Sequence, residues 1–342
     1  MVSRCLVSAA GAALVAVVVS AGWGPASAAG AGGAQQGATA ARPAYTPPRT
    51  PWGDPDLQGI YTNKDENGIP FERPDQFGSR SAEDVEESSE FADVVRERNE
   101  RARVSAAGIG GADTGAGPVH WYEHYDTKPS RAWLVVDPPD GRLPAQLATA
   151  ERRAALRLAG RGGRGPADSY EDRGLYDRCI TRGLPGSMMP AIYGNAYQIV
   201  QSPGFVAIQY EMIHETRIIP LGASPHLPAT LRQFMGDGRG RWEGNPLVVE
   251  TTNFDDRSGY RGADGRTLQL TERFTAKAAN QVEWAVTVED ATTWPRPWTF
   301  AMSLTKDDTQ QVFEYACHEG NRGLQNILSG ARADERAARG SR

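Results

Sequence analysis

The chain has 342 residues, with 42 acidic against 37 basic side chains and a formal charge of −5. Hydrophobic residues make up 39% of it, enough for a core of domain size. No segment concentrates Lys and Arg, which excludes nucleic acid as a partner and leaves enzymes and ligand carriers of small molecules.

The first 28 residues read as a secretory signal peptide. Arg4 gives a positive start, Leu6 to Val19 are apolar and uncharged, and Ala26-Ser27-Ala28 fits the small-x-small cleavage pattern. The apolar run is shorter than the ~20 residues a membrane span needs. The mature protein is therefore expected to be secreted or periplasmic, with no membrane span. Cys5 leaves with the signal. Cys179 and Cys317 remain, in a compartment where disulfides persist, and are expected to pair. That bridge would close a loop of well over a hundred residues.

Residues 29–50 are Ala, Gly, Gln and Pro with little to bury, and read as a disordered linker. "PWGDPDLQGIYTN" (51–63) carries Trp52, Leu57, Ile60 and Tyr61 among turn residues and reads as an extended strap. In 81–103, Ser81 is an N-cap candidate, acids come early and arginines late, which predicts a helix. Residues 104–117 are a Gly/Ala-rich loop, 131–137 (RAWLVVD) a short strand, "PPDGR" a turn and 148–160 a helix. Residues 51–194 thus form a strap and helical region packed on the core.

From Asn195 the pattern changes. Short segments rich in β-branched and aromatic residues recur at 196–201, 205–213, 215–221, 245–254, 267–277, 281–290, 298–307 and 311–317. Eight such segments with mostly tight connections predict a mainly β fold. The expected architecture is an antiparallel eight-stranded, lipocalin-like barrel, or a barrel-like sandwich, over 195–330. An irregular and helical N-terminal wrap surrounds it, and a C-terminal helix packs on it. The insertion "GASPHLPATLRQFMGDGRGRWEG" would hold a short helix after Pro228 or cap one end of the barrel.

Several strands place a carboxylate or histidine within an apolar stripe. Glu272 falls among Leu268, Leu270 and Phe274. Val248, Glu250, Thr252 and Phe254 share a face, as do Val312, Glu314, Ala316 and His318, while Phe205, Ala207, Gln209 and Glu211 align. In a closed barrel these groups would face a common lumen, where a desolvated Glu has a raised pKa and exchanges a proton with a neighbouring His. Buried pairing with Arg217 or Arg273 explains the same pattern structurally, and a one-residue bulge would send any of the carboxylates to solvent. The candidate acid–base residues are His214, His318, Glu211, Glu272, Glu314 and Glu319. Arg217, Asp237, Arg239, Trp242 and Tyr210 are candidates for holding substrate.

"HWYEH" (120–124) fits H-x-x-E-H, in which His120 and His124 would bind zinc and Glu123 act as general base. Pro118 and Pro129 leave little room for the helix that motif needs.

The stretches "DRCITRGLP", "YQIVQSPGFVAIQYEMIHETRIIPL", "RQFMGDGRGRWEGNPLVVETTNF", "ERFT", "TTWPRPWT" and "YACHEGN" resemble a family of secreted proteins numerous in soil and environmental bacteria. The resemblance spans roughly residues 51–335. It implies export and a β-rich core, and it brings no catalytic residue.

Together these features predict an exported enzyme acting on a small sugar-derived, aromatic or terpenoid-like molecule. The chemistry would be cofactor-free acid–base catalysis in the lumen, as a lyase, isomerase or hydrolase. The alternatives are a non-catalytic ligand-binding barrel and a zinc-dependent hydrolase using HWYEH.

Overall fold

The computed structural model describes residues 45–108, 123, 129–191 and 193–340. The expected signal peptide and most of the expected linker lie outside them, as do His120 and His124. Ten strands and four α-helices are described. The strands are β1 (Gly59–Thr62), β2 (Val135–Asp137), β3 (Ala196–Ser202), β4 (Phe205–Tyr210), β5 (Thr216–Pro220), β6 (Asp237–Trp242), β7 (Leu247–Thr252), β8 (Gln269–Ala278), β9 (Gln281–Glu289) and β10 (Trp298–Lys306). The helices are α1 (Ala82–Glu86), α2 (Ser89–Gly108), α3 (Ala148–Ala159) and α4 (Gly323–Gly340).

The strands form one antiparallel sheet in the order β5-β4-β3-β1-β10-β9-β8-β7-β6, curled into a nearly closed barrel. β9 takes one edge of β10 along its length. β1 and β2 share the other edge, with Tyr61 opposite Lys306 at one end and Asp137 opposite Thr299 at the other. The expected antiparallel barrel is thus present, but with ten strands, two of them supplied by the N-terminal region. The expected last strand, 311–317, is irregular and buries no residue. A returning strand would need an edge of β10, and both edges are occupied.

Nine strands make the circuit, and every pairing along it is antiparallel. Strand direction alternates at each step, so the ninth strand runs the same way as the first. β5 and β6 therefore meet in parallel. Among the described residues they share the single bridge Leu221–Gly240, with the Gly222 amide donating to the Gly240 carbonyl at 3.0 Å. Close approach at this seam requires glycine: a Cβ on Gly240 would stand 2.7 Å from a Leu221 methyl and 3.0 Å from one of Ile219. This explains much of the alternation in "GDGRGRW".

The interior is filled. Trp284, Trp298, Tyr197, Tyr210, Phe254, Phe274 and Phe300 are fully buried in one cluster with Leu247, Val249, Leu270, Val286 and Met302. Within it lies an ion pair, with Arg217 Nη1 and Nη2 donating to Glu272 Oε2 and Oε1 at 2.5 and 3.1 Å. Trp284 Nε1 donates to the same carboxylate at 3.1 Å. Arg217 and Glu272 are 6% and 0% exposed. The open lumen expected from the strand pattern is absent, since large aromatics leave a nine-strand circuit no room for one.

The helix expected over 81–103 is two helices. Ser81 caps α1 through a capping box with Asp84, and the chain breaks where Ser88 Oγ donates to the Val85 carbonyl at 2.6 Å. Val85 and Phe91 pack with Phe77, Ala132 and Trp133 in a second small core. α4 forms, but it buries no residue.

Removing one member of the interior ion pair strands the other charge in the core, at a cost of about 3–5 kcal/mol. Glu272→Leu alone is therefore expected to lower the urea unfolding free energy by roughly that amount. The double change Arg217→Met with Glu272→Leu should recover most of the loss, which equilibrium denaturation would measure.

Candidate functional site

The seam leaves an open cleft of about 770 Å³. One wall is the β5 segment from Glu215 to Pro220. The opposite wall is Gln233 to Arg239, and Arg232, Asp255 and Arg257 form the rim. Arg217 lies at its floor, joining the cleft to the interior pair. The guanidinium's pKa is raised: burial alone would lower it, and the charge and hydrogen bonds of Glu272 more than offset that. Its Nε and the Tyr210 hydroxyl are buried and make no hydrogen bond among the described residues.

At one end, Asp237 is held by three donors. Arg239 Nη1 reaches Oδ1 at 2.5 Å, while His226 Nδ1 and the Leu227 amide reach Oδ2 at 3.0 and 2.8 Å. The insertion 222–236 folds back to make these contacts, contains no helix, and is pinned by Gln233 bridging Phe254. Gly236, at φ +68°, lets the chain turn into β6 where a Cβ would meet Thr251 and the Thr252 carbonyl. A carboxylate on Nδ1–H leaves His226 Nε2 as the acceptor nitrogen. The ring makes no other hydrogen bond among the described residues.

At the other end, Glu215 accepts from Thr181 Oγ1 at 2.8 Å. Burial raises its pKa, opposed by that hydrogen bond and by the neighbouring His214. Arg232 donates to the Phe254 carbonyl at 3.2 Å and forms no ion pair among the described residues.

Of the residues expected to hold substrate, Arg217, Asp237 and Arg239 converge on this cleft, with Tyr210 and the acid–base candidate Glu272 behind it. Trp242 lies at the far end of β6, partly packed on the core. Glu250 points outward to Arg241 at 2.7 Å, so it does not share a core face with Phe254. His226, Arg232 and Arg257 were not singled out from sequence. The His226–Asp237 pair spans a loop with no periodicity to reveal it.

The other candidates gather at the end of the barrel near Cys179 and Cys317, which are bonded with Cα atoms 5.6 Å apart. His214 is exposed, and its Nδ1 donates to the Tyr315 carbonyl at 2.9 Å. Both Ile213 and His214 have positive φ, +64° and +45°, a strained conformation for a β-branched residue. Glu211 accepts from the Ala196 amide at 3.3 Å. Its pKa is pushed up to about 7, chiefly by burial, with the nearby Glu123 adding to the shift. Glu314, His318 and Glu319 are exposed on the irregular segment after β10 and face no shared cavity with Glu272. Glu123 uses both oxygens on the Gly194 amide and on the amide and side chain of Asn195. Glu123 is thereby held at the entry to β3. Among the described residues no group of three metal-ligating side chains is placed to hold a metal ion, and no described helix is long and apolar enough to cross a membrane.

No protein-family model matches the sequence, and no curated protein matches it. The chain is similar to a solved secretary abundant heat soluble (SAHS) protein from Ramazzottius varieornatus, at 12% identity and a TM-score of 0.24. The match covers 39% of this chain and 87% of that one. A likeness this loose transfers nothing about function.

Two predictions follow from this end of the molecule. The disulfide closes a loop of 138 residues, so Cys317→Ser is expected to cost at most about 4–5 kcal/mol, read as a lower melting temperature than the parent's. Glu211, and Glu66 beneath Ser130, have pKa values raised by burial from 4.5 to about 7. The folded chain therefore binds more protons than the unfolded chain between those values, and their contribution to stability falls as pH rises through that window. A Glu66→Gln, Glu211→Gln variant should lose less stability than the parent between pH 5 and pH 8, as measured by denaturant midpoints.

Proposed function

We propose that this chain is an exported protein whose seam cleft binds a small organic anion and moves a proton on it without an organic cofactor. The observation that carries this reading is Arg217. It is a buried guanidinium at the floor of an open cleft, fixed by Glu272, with one N–H left unpartnered. An anion entering the cleft would lie against the positive charge of that guanidinium, with Arg232 in the lining as a second cation. Guanidinium groups bind carboxylates by paired, charge-assisted hydrogen bonds.

Proton transfer falls to Glu215, whose pKa burial raises above the usual carboxylate value, and to His226 at the mouth, oriented by Asp237. Arginines beside a substrate carboxylate would stabilise the charge that develops when a proton leaves the adjacent carbon. This places the chemistry at the seam instead of in a lumen. The segments "TRIIPL" and "RQFMGDGRGRWEG", which carry much of the resemblance to secreted bacterial proteins, are the two walls of the cleft. Export itself rests on the N-terminal sequence and is supported by the disulfide.

A binding-only role has one observation in its favour: Arg217 and Arg239 are locked by Glu272 and Asp237, which makes them rigid anchors. The two readings separate by experiment. Organic acids, galacturonate among them, would be screened by calorimetry, with turnover followed by proton NMR. Glu215→Gln is expected to keep binding within a few-fold and to lower turnover by about 10²-fold or more. Arg232→Ala should weaken binding. Binding without turnover in the parent would leave a carrier, and no bound anion at all would sink the proposal.

A further inference from the structure

The seam cleft does not end at its own rim. Arg257 lines it and also a second cleft of about 580 Å³ with Arg153, Arg157, Asp256, Asp264 and Arg266. Arg153 and Arg157 in turn line a third, of about 350 Å³, along α3 with Gln146, Leu158, Arg161 and Gly262. The three run together across the surface of a protein whose net charge is negative.

The chemistry changes along the track. Arg257 and Arg266 are paired with Asp255 and Asp256, and Arg153 is tied to Thr292, Thr293 and the Gly262 carbonyl. Arg157 reaches only the Asp256 carbonyl, at 3.3 Å, and neither it nor Arg161 forms an ion pair among the described residues. The third cleft has no carboxylate in its lining. The track therefore alternates fixed Arg–Asp pairs, which offer donors and acceptors together, with unpaired guanidinium groups.

This lining fits one kind of extended ligand. Acidic sugars present carboxylates to arginines and hydroxyls to aspartates. Single-stranded DNA has no hydroxyls along its backbone to donate to Asp256 and Asp264, and the second and third clefts offer no aromatic side chain on which bases could stack. Leu158, 68% exposed, gives the apolar contact that a sugar ring's C–H face accepts.

We propose that the track from the seam along α3 holds an extended acidic glycan, with one uronate unit in the seam cleft and the following units on Arg257, Arg266, Arg157 and Arg161. This rests on the seam cleft being an anion site, and names the class of molecule that site receives.

The test is calorimetric binding of galacturonate, of a long oligogalacturonide and of single-stranded DNA to the full chain. The oligogalacturonide is expected to bind more tightly than the monomer, with an affinity that falls as salt rises. Arg157→Ala with Arg161→Ala removes the two lining arginines without ion pairs, so it should cost the oligomer about tenfold in affinity and leave the monomer unchanged. Circular dichroism would check that the variant folds. If the oligomer binds no better than the monomer, or the double variant binds both as the parent does, the track is not a glycan site while the seam reading survives. Tighter binding of the DNA overturns the glycan assignment. If the monomer fails to bind but the oligomer binds in an Arg157- and Arg161-dependent way, the seam reading fails and the α3 track stands alone.

Discussion

An antiparallel circuit with an odd number of strands cannot close on itself with antiparallel pairing throughout. Nine strands here leave β5 and β6 parallel, and among the described residues one bridge at Leu221 and Gly240 joins them. Most of what is distinctive in the molecule follows from that constraint. The seam pairs at that bridge alone among the described residues, so it stays open on the outside while glycine lets the two strands approach at one end.

An open seam would expose the interior of the barrel, and the interior is where the Arg217–Glu272 pair lies. Two buried charges gain little stability over well-packed apolar residues and are costly to separate. Placed at the floor of a cleft, however, they set a fixed cation beneath the proposed anion site. The insertion between β5 and β6 completes the arrangement. It folds back over β6, brings His226 and the Leu227 amide to Asp237, and so turns an edge strand into one wall of a site. Glu215 belongs to the same geometry, because the strained turn at Ile213 and His214 delivers it to the start of β5 beside Thr181.

Much of the fold was legible in the sequence, because period-2 alternation and tight turns mark β7 to β10 clearly. The Cys179–Cys317 bridge followed from compartment and count. β2 falls within the short strand read at 131–137, but β1 was harder: it is four residues long in a stretch read as a strap, and its pairing with β3 and β10 makes it a strand. The segment 311–317 has strand composition but finds both edges of the preceding β10 taken, which is information no local pattern carries. For the site, alternation put Glu272 inside and left Arg217 or Arg273 as its partner; the structure pairs it with Arg217. It could not show that the interior would be filled by Trp284 and Trp298, nor that a histidine eleven residues before Asp237 would return to it. Sequence spacing is silent on contacts made across an irregular loop.

The central claim is that the seam is both the weak point of the barrel and the place where a ligand acts. Hydrogen exchange resolved by residue addresses both halves. Amides of Thr216–Pro220 and Asp237–Trp242 should exchange faster than those of β8 and β9, which pair on both sides along most of their length. Adding an organic anion such as galacturonate should slow exchange at the seam and leave β8 and β9 unchanged. Equal protection around the whole barrel, or slowing confined to the Cys317 end, would contradict the account.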